Sequence, residues 1–200
     1  MLLVIETATE ALSVALIDGT KIVAEHHELV GRGHAERLLP VIAGLLGDCR
    51  PDAIAVDCGP GSFTGVRVGI AAAQGLRIAW RIGASGFSST ALIAAGDLCD
   101  GALAVALGGG HGEVFVEMFD SPPVRSLGPM QSLTPEVAAQ AIGCARIVGS
   151  GAAALVAARG WGEASEAWPR AADLVRVPVQ FIDLPLRPIY GRAPDARLPA

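Results

Sequence analysis

The chain contains no asparagine, one lysine, one tyrosine and only 4% aromatic residues. Without Asn there is no N-glycosylation acceptor. Its four cysteines, Cys49, Cys58, Cys99 and Cys144, form no CxxC pair, so neither a zinc ribbon nor a local redox motif is encoded, and reduced thiols are expected. No uncharged apolar run reaches the roughly 18 residues a membrane span needs. The longest candidate, 65–80, is broken by Arg67, Gln74 and Arg77. No cationic stretch precedes the apolar start Met1–Glu6, so no secretory signal is read there. The expectation is a cytoplasmic protein with no membrane contact. Basic residues form no stripe, and the net charge is −5. Polyphosphate binding normally requires such a stripe. Any nucleic acid contact is therefore expected to be made chiefly by a partner.

Hydrophobic residues make up 52% of the chain, enough for a core of Ala, Val, Leu and Ile. The first half reads as a strand at Leu2–Glu6, then a hairpin of Leu12–Ile17 and Lys21–His27 turning at Asp18-Gly19. A helical period over 34–46 puts Leu38, Leu39, Ile42, Leu45 and Leu46 on one face. A strand at Ala53–Val56, a Gly-rich turn and a helix over 65–80 follow. A segment at 81–84 then leads to a helix over 88–95. The second half repeats this order more weakly. Strands are expected at 102–107, 113–119 and 124–127, a helix from Thr134 to Ile142, a strand at 147–148 and a helix over 152–158. Beyond Arg159 the pattern decays into an extended tail. Two β-β-β-α-β-α halves predict a duplicated α/β architecture, with domains 1–98 and 99–200.

The most distinctive segment runs from Asp57 to Gly69. A strand ends, Gly59, Pro60 and Gly61 turn the chain, and Ser62 or Thr64 caps a helix. Amides at such a helix start can hold an anion, or the segment can be a structural turn and cap. It is neither a P-loop nor a GxGxxG fingerprint. Glu6, Thr7, Gly59, Gly61, Ser62, Thr64 and Gly65 are the candidate phosphate-or-turn residues. An acidic residue at a strand end, followed by a Gly-containing hairpin, can hold metal and phosphate, and Glu6 stands at such a strand end. No Gly lies between positions 6 and 12, which leaves Glu6 to order the turn. The following helix is nearly bare at Gly65, Gly69, Ala72, Ala73 and Gly75. Each interior Gly costs about 1 kcal/mol relative to Ala, so close approach of other backbone is expected. That backbone is either this chain's own sheet or a helix of another subunit, with the 34–46 helix as neighbour.

Catalytic signals are sparse. His26, His27, His34 and His111 show neither HxxxH nor HExxH spacing, and no metal ligands are expected. Ser62 lacks the second Gly of a nucleophile elbow, Thr64 standing in its place.

Taken together, 4–16 (VIETATEALSVAL), 34–40 (HAERLLP) and 59–69 (GPGSFTGVRVG) resemble the TsaB family, and the tail 187–192 (RPIYGR) resembles its closing Pro-x-Tyr-x-Arg signature. The resemblance implies a two-domain actin/Hsp70/sugar-kinase-like (ribonuclease H-like) fold. It implies a non-catalytic subunit that pairs with a catalytic paralogue, TsaD, and an ATPase, TsaE, to make threonylcarbamoyladenosine beside the anticodon of tRNA. The tRNA contact is indirect, and the chain is expected to self-associate as a homodimer when alone. No cofactor is held tightly by the isolated chain, with ATP and Mg entering at the level of the complex. The paralogue's two metal-binding His residues fall at about Gly86 and Thr90, which cannot ligate metal as His does. Its interface is expected at His34, Arg37, Leu38, Val41, Arg67, Val68, Gly69, Ala72 and Ala73. Gly69→Leu is expected to break association while leaving the fold. Three departures stand out. Glu6 replaces the family's usual Asp, Asp57-Cys58 replaces Gly-Arg, and Gly108–Gly112 replaces an Asp-Ala-Arg hairpin. The alternative readings are a nucleotide-binding phosphotransferase using Glu6 and the 59–65 turn, or a peptidase.

Overall fold

In a computed structural model of the protein, residues 1–189 are described. The first sheet comprises β1 (Leu2–Glu6), β2 (Ala11–Asp18), β3 (Lys21–Leu29), β4 (Ala53–Asp57) and β5 (Gly83–Phe87), in the order β3-β2-β1-β4-β5. β2 is antiparallel to β1, whereas β4 and β5 run parallel to it. The second sheet comprises β6 (Gly101–Gly108), β7 (Val114–Ser121), β8 (Arg125–Ser126), β9 (Gln131–Leu133), β10 (Arg146–Val148) and β11 (Glu163–Ser165). Its order is β11-β10-β6-β7-β8, with β9 also on β7. Read from β11, it repeats the first sheet strand for strand: a parallel pair, a central first strand, then two antiparallel neighbours. The duplication expected from the weak repeat is thus a repeat of topology.

The helices are α1 (His34–Leu46), α2 (Phe63–Trp80), α3 (Ser89–Gly96), α4 (Pro135–Ala141) and α5 (Ala152–Arg159). Alternation along the strands decides the layers. Leu3, Ile5, Leu12, Val14 and Leu16 point to one side of the first sheet, where Leu38, Ile42 and Ala73 of α1 and α2 cover them. Val4, Ala15, Ile17 and Ala55 point to the other side and meet α3, whose residues 89–95 are all buried. Leu103, Val105 and Phe119 of the second sheet close this central core. The outer face of that sheet, including Ala104, Val116 and Ile147, is covered by Ala138, Ile142, Ala152 and Leu155 of α4 and α5. Five layers result: helices, sheet, a central helix, sheet, helices.

The third strand expected at 124–127 shortens to β8, while β9 at 131–133 was not anticipated and β11 lies where the sequence shows only a decaying pattern. Three-residue strands are too short to show a period. The segment after β11 returns to the first sheet. Ala171 N donates to Ser13 Oγ (2.9 Å), Leu184 bridges Gly86 beside β5, and Ile189 N donates to Cys58 O (2.7 Å). Tyr190, Gly191 and Arg192 of the tail signature lie outside the described residues.

Candidate functional site

β1 and β4 are parallel with Ile5 opposite Val56, so Glu6 and Asp57 end side by side at the carboxyl edge of the sheet. Two turns leave that edge and lock together. Ser62 N donates to Ala8 O (2.6 Å), and the Thr7 hydroxyl donates to Gly65 O (2.8 Å). A Cβ at Gly61 would overlap Ala8 O, and one at Gly65 would overlap Thr7 O. Ser62 is the residue that caps α2, accepting from Gly65 N (3.3 Å), while Thr64 lies exposed in the first helical turn. These contacts give the segment the geometry of a turn and helix cap. The glycines at 61 and 65 are thus spent on close approach to residues 7 and 8 of the same chain.

Glu6 and Asp57 are fully buried. Glu6 Oε1 accepts from Ala8 N (2.7 Å), and Asp57 Oδ1 accepts from Gly59 N (2.5 Å) and Ser89 N (3.1 Å). Burial, followed by the adjacent Asp57, holds the Glu6 carboxyl well above the usual carboxylate range. Burial also raises Asp57, against the hydrogen bonds it accepts. Sequence reading placed Glu6 in the turn but took Asp57 only as a departure from the family pattern. The available signal was that both residues close neighbouring strands.

The small-residue stripe of α2 divides in two. Gly65, Gly69 and Ala73 are buried against this chain's own sheet. A Cβ on Gly69 would stand 2.5 Å from Thr7 Oγ1 and 3.3 Å from Val56 Cγ2. Gly69 and Ala73 therefore serve intrachain packing, which corrects their placement at a subunit face. A leucine at Gly69 would disrupt the fold itself. His34 and Leu38 are likewise buried, His34 Nε2 lying 3.0 Å from Ala11 O. Arg37 pairs with Glu28 (2.6 Å), and the Arg67 guanidinium lies over the Phe63 ring (3.3 Å). Val41, Val68 and Ala72 are half-buried.

The outer face carries other residues. Gly75 is two positions beyond Ala73, roughly 200° round the helix, and no atom lies within 4 Å of its Cβ position. Ala71, Gly75 and Ala79 share one exposed stripe, with Ile78 beside it 70% exposed. α1 adds Ala43, Gly44 and Leu39, the last 53% exposed rather than on the buried face. A groove lined by Leu39, Ala43, Leu76, Ala79 and Trp80 joins the two helices. Sequence reading named Gly75 as bare but did not separate this face from the inward one, because the two interleave along the helix.

A Cβ at Gly86 would stand 2.7 Å from Cys58 Sγ, and Thr90 is buried with its hydroxyl on Glu117 Oε2 (2.6 Å). Among the described residues no group of three or more His, Cys, Asp or Glu side chains could hold a metal ion. Gly110–Gly112 forms a short 3-10 turn with His111 at φ 63. No described helix is long and apolar enough to cross a membrane.

Two sheets of repeated topology, with helices outside and between them, define a two-domain protein of the actin/Hsp70/sugar-kinase-like class. Residues 22–149 match the family model for TsaD, tRNA N6-adenosine threonylcarbamoyltransferase, and the chain belongs to this family, with TsaB its curated kin. The tRNA threonylcarbamoyladenosine biosynthesis protein TsaB of Escherichia coli is 46% identical over 101 residues, covering 48% of this chain and 43% of that protein. The Bacillus subtilis TsaB is 32% identical over 124 residues, covering 59% and 54%. In these matches the chain spans about half the length of the curated relatives. The solved structure of YeaZ from Pseudomonas aeruginosa superposes with a TM-score of 0.80 at 30% identity, covering 94% of this chain and 98% of that one.

Proposed function

We propose that this chain is a non-catalytic partner subunit in the synthesis of threonylcarbamoyladenosine in tRNA. It docks a TsaD-like catalytic paralogue through the outer face of α1 and α2, in a machinery that includes a TsaE-like ATPase. The observation that supports this reading is the open face itself. Gly75, Ala71 and Ala43 let another helix come close, and Leu39 and Ile78 offer apolar area that its burial would remove from water. The same face would pair two copies when the paralogue is absent. The Gly59–Gly65 turn, packed on residues 7 and 8, favours docking over a phosphotransferase.

Co-purification with the catalytic paralogue of the same genome tests this. The wild-type chain is expected to form a complex and Gly75→Leu to remain folded but alone. A Gly75→Leu chain that binds as the wild type does, or a folded wild type that forms no complex, would overturn the reading.

A further inference from the structure

The docking role makes no use of Glu6 and Asp57. Glu6 and Asp57 are 0% and 1% exposed. Glu6 Oε1 and Asp57 Oδ1 are held by the amides of Ala8, Gly59 and Ser89. Glu6 Oε2 and Asp57 Oδ2 are buried and receive no donor from any described group. Glu6 and Asp57 directly follow the paired Ile5 and Val56 on the parallel strands β1 and β4, which sets the two carboxyl groups next to each other. Were both ionised, two adjacent like charges would stand in a dry interior with one oxygen each unsatisfied, an arrangement that fully buried carboxyl pairs avoid by retaining a proton.

We propose that Glu6 Oε2 and Asp57 Oδ2 share one proton at neutral pH, forming a clasp that fastens the β1–β2 turn to the chain entering α2 and α3. Glu6 accepts from the Ala8 and Thr9 amides and Asp57 from the Gly59 and Ser89 amides, so the one proton is held between two comparably supported carboxyl groups. The groups facing the pair supply no compensating charge. From β1 and its turn come the Ala8 and Thr9 amides, and the Thr7 hydroxyl is directed to Gly65 O. After β4 come the Gly59 amide and the Cys58 thiol, the latter raised to about 12 by burial and hence neutral. From α3 comes the Ser89 amide.

The fold favours the protonated pair. Its contribution is therefore complete at acidic pH and is lost as pH rises through the pair's raised titration. Alkaline conditions should loosen the locked turns at the base of the docking helix.

Urea unfolding of the intact chain from about pH 5 to about pH 9, in wild type and Glu6→Gln, tests the clasp. The Gln amide can donate to Asp57 Oδ2 without titrating. The wild-type midpoint is expected to fall relative to that of Glu6→Gln as pH rises, and other carboxyl groups cancel in the difference. The infrared band of a protonated carboxyl at neutral pH should be present in the wild type and absent from Glu6→Gln. Parallel profiles, or no acid band in the wild type, would overturn the proposal. A magnesium-dependent rise in the midpoint of the wild type but not of Glu6→Gln would also overturn it, since a cation would then fill the gap. If Glu6→Gln does not fold, the pH titration of the acid band is read in Glu117→Gln, which removes the other raised buried carboxyl.

Discussion

At Gly61 the carbonyl oxygen of Ala8 occupies the place of a Cβ, and Gly65 has the same relation to Thr7. These are backbone atoms tied by Ser62 N→Ala8 O and Thr7 Oγ1→Gly65 O, so a methyl group cannot be accommodated by a rotamer change. Gly61→Ala is expected to destabilise the protein by about 3 kcal/mol, read as a lowered urea midpoint. The requirement for glycine here was visible in the sequence as a turn, but the identity of the atoms it approaches was not. The meeting of Glu6 with Asp57 was hidden in another way. Each stands out alone as a departure from the family pattern, and only the pairing of β1 with β4 makes them one feature. Sequence reading of α1 erred at Leu39 for a similar reason. Apolar character sets a helical period but does not say which edge of the apolar arc the sheet will cover.

The helix α2 has two bare faces with opposite duties. Gly69 allows the helix onto the sheet beside Thr7 and Val56, whereas Gly75 opens to solvent. Gly69→Leu is expected to yield a chain that lacks a cooperative unfolding transition. Gly75→Leu should unfold no earlier than wild type, since Leu exceeds Gly in helix propensity by about 0.8 kcal/mol. A circular dichroism melt of each variant distinguishes these outcomes. A second element-level contact joins α3 to the second sheet, where Glu117 accepts from Thr90 (2.6 Å) and Ser126 (3.1 Å). Burial raises the Glu117 carboxyl against those two hydroxyl donors. A raised carboxyl gives its stabilisation below its unfolded value and loses it as pH rises through the folded one. Glu117→Gln is therefore expected to reduce the alkaline loss of stability, measured as a shallower fall of melting temperature with pH. The long helices and strands were legible because their periods run for several turns or pleats. β8, β9 and β11 span two or three residues each, and pairing rather than pattern defines them.

The whole molecule is held together by its middle layer. α3 is buried on every side, and the segment 171–177 lies with it between the sheets. Ser13 Oγ on β2 accepts from Ala171 N at 2.9 Å, across 158 residues of chain. Ser13→Ala would leave that buried amide without an acceptor and should cost about 2 kcal/mol, measured by chemical denaturation. This return to the first sheet was only partly readable, since an irregular run rich in proline shows that a tail is extended but not where it lies. Its placement has a consequence for synthesis. A ribosome releases β5 long before it reaches Leu184, the residue that bridges Gly86 at that strand's margin. Throughout that interval the nascent first half carries an open strand border, able to recruit a neighbouring nascent chain. The arrival of Leu184 is thus what covers that border at Gly86, and pausing upstream of Leu184 would prolong its exposure.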